Sequence, residues 1–255
     1  QNASSMFMGV YAKELDLSGW ETPALQSASS MFSNCRVTTK IVFGEGWNST
    51  QVNDMTRIFE SCQLLTTIEG FEYFDTNAAT NMSGMFSGCY SLSNLTFGEN
   101  WTTAKVTDMN NMFYNCRGLA SLEVSKWDTS AVKNMSNMFN GCSGLTSLDL
   151  STFNTSQVTD MSSMFNGCSI LTSLTLGGNF DISSVKSVQS MFASCNALEN
   201  LGGALKLGKS NPVSSFADFF SGLSNLKSVT FITPADGAEF PNLSTMQYMF
   251  NGCSS

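Results

Sequence analysis

Methionine, phenylalanine and cysteine recur together along this chain, as in "VTDMSSMFNGCSILTSLTL" from Val158 to Leu176. Two thioethers three residues apart, with a thiol four residues after the second, could coordinate Cu(I), which favours soft sulfur ligands. The thiols could instead pair as disulfides or do redox work. A second constellation is acidic. Glu123 and Asp149 hold one repeat position and, on adjacent strands, could serve a retaining glycosidase or bind a cation. Histidine is absent altogether. That removes the commonest general base and the commonest metal ligand together, and no Cys-x-x-Cys pair suggests zinc.

Spacing decides between chemistry and packing. The eight cysteines stand at 35, 62, 89, 116, 142, 168, 195 and 253, the first seven separated by 27, 27, 27, 26, 26 and 27 residues. They mark a period. Fourteen of the fifteen methionines, all but Met8, fall on one apolar face of the repeat. Ile58 and Val188 take the same slots in sister units, with Val52 and Val185 one turn earlier on the same face, so the slot asks for apolar bulk, which methionine supplies well. Val10 and Leu223 stand where other units carry cysteine, and free cysteine behaves as a small buried hydrophobe. Side-by-side Cβ vectors in a stacked column also fit the disulfide dihedral poorly. Core packing is therefore the expected role of the sulfurs, with no cofactor and no metal site.

The repeat splits into two periodicities. Val158, Met161, Met164, Phe165 and Cys168 follow three-and-four spacing, which predicts a helix of about three turns. Thr155-Ser156 or Thr159-Asp160 could cap its start, and the Asn-Gly or Ser-Gly before most cysteines suits a left-handed exit. Leu171-x-x-Leu174-x-Leu176 ends in alternation and predicts a short strand. The following turn carries an aromatic column of Trp20, Trp47, Phe74, Trp101, Trp127, Phe153 and Phe180, which could stack sugars but is expected to be buried, since a row of exposed tryptophans would form a large apolar patch.

No such unit buries its apolar side alone, so units must stack. The expected fold is an α/β repeat solenoid over residues 1–255, a single domain of about ten repeats of 25–30 residues. It should be most regular over 79–195 and irregular over 196–255. Packed helices need about 8–10 Å and strands about 4.8 Å. That mismatch predicts a leucine-rich-repeat-like arc with its parallel sheet on the concave face and short helices on the convex face.

Composition sets further bounds. A net charge of −8 with only 13% charged residues lacks the basic footprint of a nucleic-acid binder. No run of about 18 apolar residues predicts membrane insertion by this segment. No cleavable signal pattern is visible after Gln1. The chain begins inside one repeat at Met6-Phe7 and stops inside another at "NGCSS". It is therefore expected to be a piece of a longer protein with further domains, to use its irregular last units as a cap, or to pair its ends between molecules.

The motif Cys-x-x-Leu-x-x-Leu-x-Leu after a Met-Phe segment resembles the BspA-like leucine-rich repeats of bacterial surface proteins. With "VTDMSSMFNGCS" and a trailing "FNTS" or "WDTS" it is similar to the Met-Phe-x-x-Cys variant of mycoplasma lipoproteins and gut bacteria. The resemblance implies an exported bacterial protein, extracellular or at the cell surface and lipid-anchored upstream of this segment, that serves adhesion or ligand capture. It carries over no catalytic residues.

Outward strand positions are then the place to look for binding. Glu69, Asn94, Thr96, Ser121, Glu123, Ser147, Asp149, Ser173 and Thr175 form a hydroxyl-rich ribbon with a small acidic patch, expected to meet a host or bacterial surface protein or glycan. The expected function is non-enzymatic binding through that face. The alternative is a structural spacer or stalk that displays another domain, and a third reading is an acidic-pair hydrolase using Glu123 and Asp149.

Overall fold

The computed structural model describes residues 2–254. Among the described residues, seven short strands occur, no more than one per coil: β1 (Glu14–Leu17), β2 (Lys40–Phe43), β3 (Thr67–Glu69), β4 (Ser147–Leu150), β5 (Ser173–Leu176), β6 (Asn200–Lys206) and β7 (Ser228–Ile232). All pairings are parallel, and they form three separate sheets, β1-β2-β3, β4-β5 and β6-β7. Register follows the repeat. Leu148 and Leu150 of β4 lie beside Leu174 and Leu176 of β5, and all four are buried. In β6 an irregularity between Asn200 and Ala204 shifts the register against β7.

The expected helices are absent from the described residues; the only helical turn is a 3-10 turn at Phe71–Tyr73. The Met-x-x-Met-Phe-x-x-Cys segments are instead runs of tight turns, for a reason visible in the backbone. Each carries two residues of positive φ four apart, such as Ser163 (55°) with Gly167 (75°) and Asn137 (55°) with Gly141 (74°). A left-handed residue ends an α-helix rather than continuing it, and it suits the third position of a type II turn. The N–H of Met164 bonds the carbonyl of Met161, and that of Cys168 bonds Phe165. The intervening N–H groups of Met161, Ser163, Phe165 and Gly167 reach the next coil, at Ser187, Gln189, Met191 and Ala193. Half the donors thus close turns and half tie coils together.

Thr155 and Asp160, expected as helix caps, do other work. Asp160 accepts the N–H of Ser162 at 2.9 Å and shapes the first turn, while Thr155 donates to the Asp181 carbonyl in the next coil at 2.8 Å. The arc also loses its basis. Parallel bridges run coil to coil on the turn side, through Ser27, Asp54, Asn81, Asp108, Asn134, Asp160 and Ser187. Both sides of the coil therefore sit at strand spacing, and no thicker helical layer forces the sheet to be concave.

Three columns fill the core. The rings of Phe7, Phe32, Phe59, Phe86, Phe113, Phe139, Phe165, Phe192, Phe220 and Phe250 form one stack, with centroids 5.3–5.8 Å apart and planes within 19° of parallel. This is the offset geometry aromatic pairs prefer. Beside it stand the thiols. All eight are free, and each donates to the phenylalanine carbonyl of the preceding coil at 3.0–3.2 Å, as Cys168 does to Phe139. Burial pushes the Cys89 thiol up to about 12 and the Cys116 and Cys142 thiols well above their ordinary value. Of the turn column, Trp47, Phe74, Trp101, Trp127, Phe153 and Phe180 are buried as well, while Trp20, in the first coil, is half-buried.

A fourth column is polar and was not anticipated. Ser49, Thr76, Thr103, Thr129 and Thr155 are buried, each donating its hydroxyl to a backbone carbonyl of the next coil at 2.6–2.9 Å. Most also accept an N–H from that coil, as Thr129 does from Asn154 at 2.9 Å. The signal in the sequence is a Ser or Thr two residues after each turn aromatic, from Trp20-Glu21-Thr22 to Phe153-Asn154-Thr155.

Candidate functional site

The outward positions of the strands carry the exposed polar side chains. Glu69 lies at the end of β3, Ser147 and Asp149 on β4, and Ser173 and Thr175 on β5. All are exposed except Thr175, which is half-buried. Asn94, Thr96, Ser121 and Glu123 are exposed too, but the segments holding them are not strands. Glu123 and Asp149 therefore do not sit on adjacent strands, contrary to the reading from alternation.

The sheet is interrupted between β3 and β4, and local sequence accounts for it. In β2, Phe43 points into the core and Gly44 turns the chain. One coil on, the order is reversed: Gly70 (φ 72°) stands beside Phe43 and Phe71 follows. A Cβ at Gly70 would lie 2.2 Å from the Phe43 carbonyl oxygen, so only glycine fits there. The chain leaves β3 in the 3-10 turn, and the Phe71 ring packs against Phe97 and Trp101, at 6.1 and 5.4 Å between centroids. The next change comes one coil later. The inward residue and the aromatic stand four positions apart at Phe97–Trp101 and three apart at Val124–Trp127. Coils of 27 residues here give way to coils of 26.

Between these points the backbone edges are free. Among the described residues, no backbone hydrogen bond joins 93–97 to either neighbouring coil, or 121–123 to either of theirs. Contact is kept at both ends of the gap. Ser91 donates to Gln63, and Gly98 lies so close to Glu72 that a Cβ would meet its Cα at 2.6 Å. The result is a groove of about 520 Å³ lined by Thr66–Glu72 and Asn94–Gly98. A smaller recess of about 160 Å³ continues it past Phe97, Trp101 and Trp127 to Glu123 and Lys126. Of the expected binding residues, Glu69, Asn94 and Thr96 meet in the larger groove, and Thr96 and Glu123 in the smaller. Ser121, Ser147, Asp149, Ser173 and Thr175 line neither.

The carboxylates of Glu123 and Asp149 accept hydrogen bonds from their own turns. Glu123 takes the N–H of Ser125 at 2.9 Å and Asp149 that of Ser151 at 2.8 Å. Hydrogen bonds from Ser125, its hydroxyl first, hold the Glu123 carboxyl below its ordinary value against the opposing charge of Asp149. The N–H and then the hydroxyl of Ser151 do the same for Asp149. A glycosidase pair needs one carboxyl raised to act as general acid, and neither is raised. Glu69 is ion-paired with Lys40 at 2.7 Å.

Among the described residues no helix is long and apolar enough to cross a membrane. No curated protein sequence matches the chain. Among solved structures, a leucine-rich repeat protein from Bacteroides ovatus is 18% identical, with TM-score 0.44, covering 94% of this chain and 72% of that one. The TLR13–ssRNA13 complex is 18% identical with TM-score 0.33, covering 89% and 38%. A leucine-rich cell surface protein from Faecalibacterium prausnitzii is 17% identical with TM-score 0.27, covering 89% and 86%. A family profile described as "Mycoplasma protein of unknown function, DUF285" matches residues 1–68, 37–121, 80–204 and 176–255. Those matches run end to end, in keeping with the resemblance to mycoplasma Met-Phe-x-x-Cys repeats, and the chain belongs to that family.

Proposed function

We propose that this chain is a non-enzymatic binding domain that acts outside a bacterial cell, with its sheet face as the recognition surface. The observation that carries the reading is the division of labour among polar groups. The buried hydroxyls are consumed by bonds between coils, whereas the outward row from Glu69 to Thr175 is exposed to solvent or half-buried and, among the described residues, its side chains form no such bonds between coils apart from the ion pair of Glu69 with Lys40. Many weak polar contacts along such a row suit a protein or glycan on a host or bacterial surface. About ten repeats would act as one continuous unit, carried within a longer, exported chain.

The test is a glycan and surface-protein array probed with the purified domain. A variant combining Glu123→Ala, Asp149→Ala and Thr175→Ala should lose at least tenfold in affinity for whatever the native domain captures. Unaltered binding would sink the sheet-face assignment. A second reading, a spacer that displays another domain, draws on the uniformity of the ring stack from Phe7 to Phe250; capture of nothing by the array would favour it.

A further inference from the structure

The groove beside β3 differs from the rest of the sheet face in having backbone to offer as well as side chains. Strand β3 pairs with β2 along one edge, where Thr67 donates to Thr39. Alternate residues of a strand present their N–H and C=O to opposite edges, so Ile68 faces the groove, where no strand meets it. Across the groove, Asn94–Phe97 pair with nothing on either side among the described residues. Such edges are templates for another strand. Thr66 and Thr67 on one wall and Asn94 and Thr96 on the other flank the opening. The volume of about 520 Å³ falls inside the range of about 300–1,000 Å³ usual for ligand sites.

Charge narrows the occupant. The two recesses hold Glu69, Glu72 and Glu123 against one lysine, Lys126. Glu69 already has Lys40 as its partner. Glu72 is exposed and has no ion pair among the described residues. An acidic rim around unpaired backbone matches a cationic ligand that can supply alternating N–H and C=O groups.

We propose that the interrupted sheet at Ile68 and Asn94–Phe97 binds an extended, basic polypeptide segment by adding it as a strand. The inference rests on the sheet face being the recognition surface and names the class of partner. Backbone pairing would give affinity along the groove, and Glu72 and Glu123 would select lysine or arginine side chains at alternate positions.

The experiment is selection from a random dodecapeptide display library on the native domain, with counter-selection on a Glu72→Lys, Glu123→Lys variant. Unchanged circular dichroism would establish that the variant folds. A selected peptide, and the same peptide N-methylated at alternate residues, are then titrated while amide hydrogen exchange is followed. The expected result is enrichment of alternating basic sequences, with binding lowered at least tenfold by either the charge reversal or the N-methylation. The amides of Ile68 and of 94–97 should exchange fast in the free domain and slow in the complex. Three results would each overturn the proposal: no peptide enriched over the variant, equal binding of the N-methylated peptide, or amides at 94–97 already as protected as those of β2. If a glycan array shows binding that Glu123→Ala, Asp149→Ala and Thr175→Ala together abolish, while no peptide is enriched, the strand proposal fails and the sheet-face reading stands. If neither library nor array is captured, both fail.

Discussion

Thr129 shows how much of this chain is spent on satisfying backbone between coils. Its hydroxyl donates to the Asn154 carbonyl and accepts the Asn154 N–H, both at 2.9 Å, and the side chain is buried. A buried coil edge cannot leave these groups unpaired without a penalty of about 1–3 kcal/mol each. Thr129→Val keeps the shape and removes the hydroxyl. It should lower stability by about 2 kcal/mol or more, read as a denaturant midpoint shift at unchanged slope. Thr129→Ser, which keeps the hydroxyl, should cost less. If valine is tolerated as well as serine, the column is mere filling. Methionine, phenylalanine and cysteine were placed in the core correctly except toward the two ends, where Met6, Met246 and Phe250 are exposed, because substitution among sister repeats (Met for Val or Ile, Cys for Val or Leu) exposes what a slot tolerates. The sequence hid the threonines because a hydroxyl two residues after an aromatic reads equally well as a surface turn.

At the scale of the element, periodicity alone misassigned the Met-Phe segments. A series of tight turns returns a side chain to the interior every three or four residues, and so does a helix. Nothing in the apolar pattern separates them. The separating signal lies in the small residues between, where Ser163 and Gly167, or Asn111 and Asn115, hold positive φ. Substitution at Ser163 tests the difference by sign. In a helix, alanine is favoured over serine and glycine is disfavoured by up to about 1 kcal/mol relative to alanine. With φ at 55°, alanine carries a left-handed penalty of about 1–2 kcal/mol that glycine escapes. Ser163→Gly should therefore be more stable than Ser163→Ala in thermal or urea unfolding. The reverse order would restore the helix. The strands were legible wherever alternation ended in two inward leucines, as in β4 and β5. They were overpredicted at 94–97 and 121–124, where alternation persists but, among the described residues, no backbone hydrogen bond joins 94–97 or 121–123 to a neighbouring coil.

For the whole molecule, the cysteine period foretold a solenoid. The arc was argued from the thickness of helices and falls with them. What replaces it is a coil tied to its neighbours on both sides by backbone hydrogen bonds at strand spacing, around stacked phenylalanine rings and buried thiols. The sulfur-rich motif is then the scaffold, and the polar sheet face with its groove is left for recognition. Far-ultraviolet circular dichroism of the purified domain tests this most directly. The turn-ladder solenoid predicts a spectrum of β and turn character with essentially no α-helix. A helical spectrum accounting for a three-turn helix in each repeat would contradict it.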